Sequence, residues 1–298
     1  MLNATATIAF IVIFSLEAAV IIISNVFTIF VFKSQSRLHL KRTCLLLINL
    51  AVADLLVGVG EVAVLIMHKI PGNGNGSLSA SYAFQAFGSC LSVMFLALIS
   101  LERVYAVFRP LHHRARSARS YIFSIVIVWV AGLCIGGLSL LTVYHSKVDT
   151  VYALATGDVL LFRCLVVICA SYLSIRSRLN ATSPELEVPH SRSTRDQNLR
   201  LSKTFYIVVA VSLLFWLPGF LVYAIRKFCS RCFPPTLLWF INALHLANSM
   251  VNPVVYSFRM KIFKDALKRC LKKHGEKSEL RHISLRVQNE PHDLTTHL

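Results

Sequence analysis

Seven apolar stretches punctuate this chain, each long enough to carry a helix across a bilayer, and that repetition leaves little choice of architecture. They run Thr7–Phe32, Thr43–His68, Ser79–Val107, Tyr121–Val143, Val151–Ile175, Lys203–Ile225 and Pro235–Phe258. A helix needs roughly 20 residues to cross about 30 Å of hydrocarbon, and each stretch supplies them. The expected fold is all-α, a seven-transmembrane helix bundle. The third span is the least apolar, holding Ser79, Ser81, Gln85, Ser89 and Ser92, which predicts a helix enclosed by other helices instead of lipid. The first has no basic leader and is too long for a cleavable signal core, so it reads as a span.

Several spans carry residues that hydrocarbon rejects: Asn25, Asp54, Arg103 and the run Asn252-Pro253-Val254-Val255-Tyr256. An Asp or Arg at a helix centre costs roughly 2.5–3.5 kcal/mol on insertion scales, so such residues face the bundle interior and mark functional pathways.

Of the 298 residues, 55% are hydrophobic and 15% charged, too oily for a soluble domain, where about a quarter are charged. The net charge of +17 would suit a nucleic-acid partner, but the basic residues gather between spans, where anionic lipid explains them better. Lys33, Arg37, Lys41 and Arg42 separate spans one and two; Arg109, Arg114, Arg116 and Arg119 separate three and four; Arg176, Arg178, Arg192, Arg195 and Arg200 separate five and six. The alternate links hold only Lys69, then Lys147, then Arg226, Lys227 and Arg231. Positive charge stays inside, which predicts a multi-pass membrane protein with its N-terminus outside and its C-terminus in the cytoplasm.

The organisation expected is a short outer segment (1–6), the bundle (7–258), a membrane-surface helix (259–273) and a disordered tail (274–298). Asn3 and Asn75 open glycosylation sequons on the outer side, whereas the sequon at Asn180 lies in an inner, polar loop. Cys229 and Cys232 lie in the outer link between spans six and seven, where an oxidising compartment favours a local disulfide. Phe258–Lys273 places Phe258, Ile262, Phe263, Ala266, Leu267, Cys270 and Leu271 on one face and basic residues on the other, an amphipathic helix on the inner leaflet. Cys270 is a palmitoylation candidate there, or a plain buried thiol. The absence of an internal repeat argues against a carrier built from duplicated halves.

The polar residues also fall in a familiar order. Asn25 stands in the first span, Asn49-Leu50-Ala51-Val52-Ala53-Asp54 in the second, and Glu102-Arg103-Val104-Tyr105 with Pro110 at the end of the third. Trp129 marks the fourth, Tyr172 the fifth, Phe215-Trp216-Leu217-Pro218 the sixth, and Asn248 to Tyr256 the seventh. In this the chain resembles the rhodopsin-like (class A) G-protein-coupled receptors, over residues from about 7 to 273. The departures are specific. Leu78 replaces the usual outer cysteine of helix three, the loop Tyr144–Thr150 has no cysteine to pair with it, and Cys164 replaces the proline of helix five. Those omissions resemble the melanocortin, adenosine and cannabinoid/lysolipid cluster, melanocortin receptors most of all. Asn198 stands where an acid often latches Arg103 from helix six, which implies constitutive activity.

The resemblance implies a receptor, not an enzyme, in which an outside ligand shifts helices six and seven and a heterotrimeric G protein responds. Glu102, Arg103, Tyr172, Trp216, Pro218, Asn252, Pro253 and Tyr256 would form the activation and coupling switch. Asn25, Asp54, Ser92, Asn248 and Ser249 would form a polar core, with Asp54 as a sodium ligand or as a member of a hydrogen-bonded packing core. Prolines 218 and 253 remove backbone hydrogen bonds and kink their helices, giving the inner halves a lever arm. Adjacent on the helix, Glu102 and Arg103 should point to different sides, so Glu102 is expected to neutralise the field more than to clamp Arg103.

A ligand pocket is expected from Glu61, Gln85, Ser89, Phe220, Tyr223, Trp239, Asn242 and His245. Gln85 replaces the aspartate of aminergic receptors, so a peptide, nucleoside or lipid is favoured over an amine. Glu17 and Glu61 are further buried acids, one of them open to neutralisation by Arg163. Further partners implied are arrestin, receptor kinases and membrane lipid, and the ending Thr295-Thr296-His297-Leu298 resembles a PDZ ligand. The rival class is an ion channel or small-solute carrier that lines its path with Asp54, Arg103 and Glu61. A membrane enzyme has no metal-ligand spacing or nucleophile pattern to support it.

Overall fold

A computed structural model describes residues 4–33, 38–69, 75–144, 150–180, 207–260 apart from 209, 223, 227, 230 and 231, and 263–269 apart from 266. All regular structure among them is helical. We number the helices α1 (Ala4–Lys33), α2 (Leu38–Lys69), α3 (Asn75–Phe108), α4 (Pro110–Ala115), α5 (Ala118–Tyr144), α6 (Thr150–Asn180), α7 (Ala210–Arg226) and α8 (Pro235–Arg259). Asn3, Asn198, Cys270, the tail and the inner loop beyond Asn180 lie outside the described residues, as do the side chains of Asn75, Leu78 and Tyr223.

Five helices, α1, α2, α3, α5 and α6, contain stretches of 20–30 residues that are long and apolar enough to cross a membrane. The apolar stretch of α7 is shorter, and α8, 25 residues long, is diluted by Asn242, His245, Asn248, Ser249 and Asn252. The dilution has a direction. Asn248, Ser249 and Asn252 are buried, while Phe240, Val254 and Phe258 of the same helix are exposed. The bundle is therefore inverted relative to a soluble protein, with Leu16, Ile23, Phe123, Leu133, Leu173 and Leu214 outward and polar groups within. Asp54, Asn252 and Trp216 all lie inside.

Packing places α3 at the centre, against α2, α5 and α6, while α1 packs on both α2 and α8 and closes the ring. Trp216 on His245 ties α7 to α8, and Phe162 on Phe220 ties α6 to α7. Without a hydrophobic drive between helices in lipid, close approach of backbones supplies the contact energy, and small residues permit it. The seam between α2 and α3 depends on this: a Cβ on Gly60 would lie 2.9 Å from the Gln85 Cα, and one on Gly88 would lie 2.9 Å from the Val57 nitrogen. Trp129 adds a polar tie, donating from Nε1 to Asn49 Oδ1 at 2.9 Å and so joining α5 to α2.

Beyond α8, Phe263 is fully buried and packs edge-on against Phe27 and Phe32, with Tyr256 also in contact. Phe263 is thereby pinned to the inner end of α1. Phe258 belongs outside that contact, since it is 72% exposed.

Candidate functional site

Two polar rungs cross the interior, joined by helix periodicity. At the inner rung, Ser92 Oγ donates to Asp54 Oδ1 at 2.6 Å and Asn252 Nδ2 donates to Oδ2 at 2.8 Å. The Ser249 hydroxyl adds a further hydrogen bond to the same carboxyl. At the outer rung, Gln85 Nε2 donates to Glu61 Oε2, and Asn242 also hydrogen-bonds Glu61. Glu61 lies two turns beyond Asp54 on α2, Gln85 two turns before Ser92 on α3, and Asn242 two turns before Ser249 on α8. Each pair therefore shares a helix face, and the rungs are separated by about 10 Å of helix. Both bring together α2, α3 and α8, with α3 and α8 running antiparallel to α2.

Between the rungs, the Trp216 ring stacks on His245 with centroids 4.3 Å apart and planes 21° from parallel. Gly219, on the next turn of α7, leaves the space that His245 occupies, since a Cβ there would collide with the imidazole. The inner rung and the Trp216 stack beside it are also rich in open valences. Both amide atoms of Asn248, the Oδ1 atoms of Asn25 and Asn252, the Trp216 Nε1 and the Tyr256 hydroxyl are buried without a hydrogen-bond partner among the described residues. Such groups cost free energy unless water, an ion or a moving side chain meets them.

Asn25 shows how the backbone enters the site. Pro253 has no N–H, so the helical acceptor one turn earlier, the Ser249 carbonyl, loses its usual partner. Asn25 Nδ2 donates to that carbonyl at 3.1 Å while also reaching Ile21 O at 3.0 Å. The polar residue of α1 thus repairs the defect in α8 and holds the two helices together.

At the inner end of α3, Arg103 is only 2% exposed and Glu102 4%. Arg103 Nε donates directly to Glu102 Oε2, and its Nη2 donates to Thr43 Oγ1 at 3.0 Å. This overturns the expectation that adjacent residues would not clamp: the long guanidinium arm bends back around the helix, because a charge this buried needs a partner. Glu102 accepts two more contacts at Oε1, from His113 Nε2 at 2.8 Å and from the Tyr121 hydroxyl at 3.2 Å. The Arg116 guanidinium lies 5.2 Å from the Tyr105 ring centroid and 5.6 Å from that of Tyr121. Sequence reasoning missed Thr43, His113 and Tyr121, which come from three different elements and follow no shared spacing.

Other expected site residues scatter. Ser89 Oγ turns onto its own helix, donating to Gln85 O at 3.0 Å. Phe220 stacks on Phe162, centroids 5.5 Å apart, at the α6–α7 contact. Trp239 points away from α3 and packs on Phe10 and Phe14 of α1 and near His68 of α2, where aromatic surface is available. Tyr172 receives a 3.3 Å hydrogen bond from Arg176, one turn along α6. Arg163 does not pair with a buried acid: it is exposed on α6, and Glu61 is held by Gln85 and Asn242 instead. Glu17 Oε2 is buried without a hydrogen-bond partner among the described residues. Cys229 and Cys232 form a disulfide, Cα atoms 5.5 Å apart, in the link from α7 to α8.

Comparison with known proteins matches residues 24–256 to the family described as 7 transmembrane receptor (rhodopsin family). Among relatives, the chain is 24% identical over 274 residues to octopamine receptor beta-1R of Drosophila melanogaster, covering 76% of this chain and 54% of that receptor. It is 27% identical over 233 residues to lysophosphatidic acid receptor 1 of Mus musculus, covering 72% and 63% respectively. With sphingosine 1-phosphate receptor 2 of Rattus norvegicus it shares 26% over 260 residues, 80% of this chain and 70% of that one. The chain thus spans little more than half the length of the octopamine receptor and under two-thirds of the lysophosphatidic acid receptor.

Proposed function

The chain belongs to the rhodopsin family of seven-transmembrane receptors, and from that premise we propose that it is a G-protein-coupled receptor of the plasma membrane with its N-terminus outside. An extracellular ligand acts on the outer rung, and the response leaves the membrane at Arg103. The observation that carries this reading is the continuous polar axis inside a lipid-facing shell: the Glu61–Gln85–Asn242 rung, the Trp216–His245 stack, the Asp54 rung and the Glu102–Arg103 clamp. Groups of this kind are costly in a bilayer, and a packing role alone does not require so many open valences. Trp216 and Pro218 on α7 and Pro253 on α8 allow two packings of the inner halves, so a ligand that prefers one of them shifts the population.

Sodium fits the inner rung by donor chemistry. Asp54, Ser92, Ser249 and the unpartnered oxygens of Asn248 and Asn252 are all hard oxygen donors from three helices. Bound there, the ion would balance the Asp54 charge and hold α2, α3 and α8 together. The residues themselves fix the carboxyl and keep lipid away from it.

Relatives named for octopamine, lysophosphatidic acid and sphingosine 1-phosphate do not single out one ligand class. With Gln85 engaged by Glu61, the pocket offers an acid on α2 and an amide on α3. Peptides, nucleosides and lysolipids are the classes to screen, using second-messenger output in transfected cells. The deciding experiment is Arg103→Ala with surface expression measured in parallel. Guanine-nucleotide exchange on Gα should fall to background while the receptor still reaches the surface. Undiminished exchange in that variant overturns the proposal.

A further inference from the structure

We infer that the seat of the His245 imidazole is a ligand subsite for a flat heteroaromatic ring, held closed here by the chain's own side chain. The inference deepens the receptor reading and rests on it for what the occupant controls, though not for where it sits. Trp216 of α7 forms the floor, its indole stacked 4.3 Å from the imidazole centroid with the planes 21° from parallel. Gly219, further along the same face of α7, receives the ring edge: a Cβ there would stand 2.2 Å from Nε2 and 2.6 Å from Cε1. Ile241, one turn before His245 on α8, closes the third side, its Cγ2 2.9 Å from that same Cβ position.

The properties of the seat select its occupant. The indole face is flat, so a flat ring stacks on it where a tetrahedral chain touches at few points. The notch exists only because residue 219 has no side chain, and it admits one ring edge. The indole Nε1 is buried, and no described residue accepts from it, so one donor is left unmet. An untethered ring carrying an acceptor nitrogen or oxygen would meet that donor where the tethered imidazole does not. Flatness and an acceptor belong to nucleoside-like heteroaromatic heads and not to the acyl chains of lysolipids.

The seat is also reachable. Trp216, Gly219 and Ile241 are buried, whereas His245 itself is only partly so, which leaves one side of the imidazole open. Asn242, one turn outward on α8, hydrogen-bonds Glu61 of the outer rung, so a ligand that has passed that rung meets His245 next. Rotation about χ1 and χ2 carries the imidazole out of the seat with the backbone unchanged. With the ring gone, the contact that ties α7 to α8 at Trp216 is gone as well. An incoming ring that replaces it sets the relation of the two helices.

The test removes the tether and returns the ring. His245→Ala in the full chain, held in lipid nanodiscs, should melt at a lower temperature than the unmodified chain. Its basal nucleotide exchange on purified Gα should be about 3-fold higher, the size of one lost ring stack. Imidazole or pyrazole should reverse both effects, half-maximally at one shared concentration of about 1 mM, as suits so small a ligand. The unmodified chain should not respond over that range, because its seat is filled. Tetrahydrofuran, a puckered ring of similar size, should do nothing. In Gly219→Ala/His245→Ala the methyl fills the notch, and the response should weaken roughly 10-fold.

No thermal response to either flat ring, an equal response to tetrahydrofuran, or Arg103-dependent exchange that ignores a ring which restores melting overturns the subsite. Should His245→Ala fail to survive purification, the same rescue is read as its surface delivery in cells grown with pyrazole, and no rescue there overturns it too. Arg103→Ala, run beside these, separates the two readings. Exchange that is undiminished in Arg103→Ala removes the receptor reading, while melting rescue keeps the ring seat. Exchange lost in Arg103→Ala, with no response to the rings, keeps the receptor reading and removes the seat.

Discussion

Asn25 makes a pairing that its own helix could not have announced. Its amide serves the carbonyl that Pro253 leaves open, so two residues from opposite ends of the chain answer one another. Removing the amide should expose that defect: Asn25→Leu is expected to destabilise the bundle by about 1 kcal/mol, read as a lower melting temperature in detergent. In a Pro253→Ala background the restored N–H competes for the same carbonyl, so the Asn25→Leu penalty should shrink by more than half. Additive effects would mean that the two sites act independently. The inner rung calls for a charge test as well. Asp54→Asn keeps the size and one of the two acceptors but removes the charge, so any effect of sodium on thermal stability should vanish. A sodium response unchanged in that variant would leave Asp54 with a packing role only.

At the scale of the helix, the α2–α3 seam sets both rungs at once, because Asp54 and Glu61 share one face and Ser92 and Gln85 the other. Gly60 and Gly88 let the two backbones meet, and the atoms they meet are themselves backbone, which cannot swing aside. Gly60→Ala should therefore cost about 1–3 kcal/mol, as overpacked cores do, and lower surface expression. Gly137 on α5 supplies the control, since a Cβ there meets nothing within 4 Å. Gly137→Ala should leave melting temperature and expression unchanged. The residues themselves were picked out from the sequence, but their seven-residue spacing and which pairs with which become meaningful only once the helices are set against each other. Trp239 illustrates the limit: it lies within a turn of Asn242, yet the rotation of α8 sends it to the aromatic residues of α1.

For the molecule as a whole, the inside-out distribution of polarity carries its own expectation. Leu133 is 61% exposed on α5, facing what we read as lipid. Leu133→Arg should cost roughly 2.5–3.5 kcal/mol on insertion and abolish surface delivery, whereas Leu133→Phe should be tolerated. Orientation can be checked directly: an epitope fused ahead of α1 should bind antibody on intact cells, and one fused after the tail only after permeabilisation.

The sequence alone determined the class of solvent this chain needs, the positions of its long helices and several of the polar residues that must turn inward. Those follow from local quantities, the length of apolar runs and the cost of a charge in hydrocarbon. Only the tertiary structure decided which polar groups meet. Glu61 takes Gln85 and Asn242 in place of Arg163, and Glu102 holds Arg103 together with His113 and Tyr121. Partners are chosen by the rotation and depth of each helix against its neighbours, and those are fixed by glycine contacts and aromatic packing spread over the whole chain.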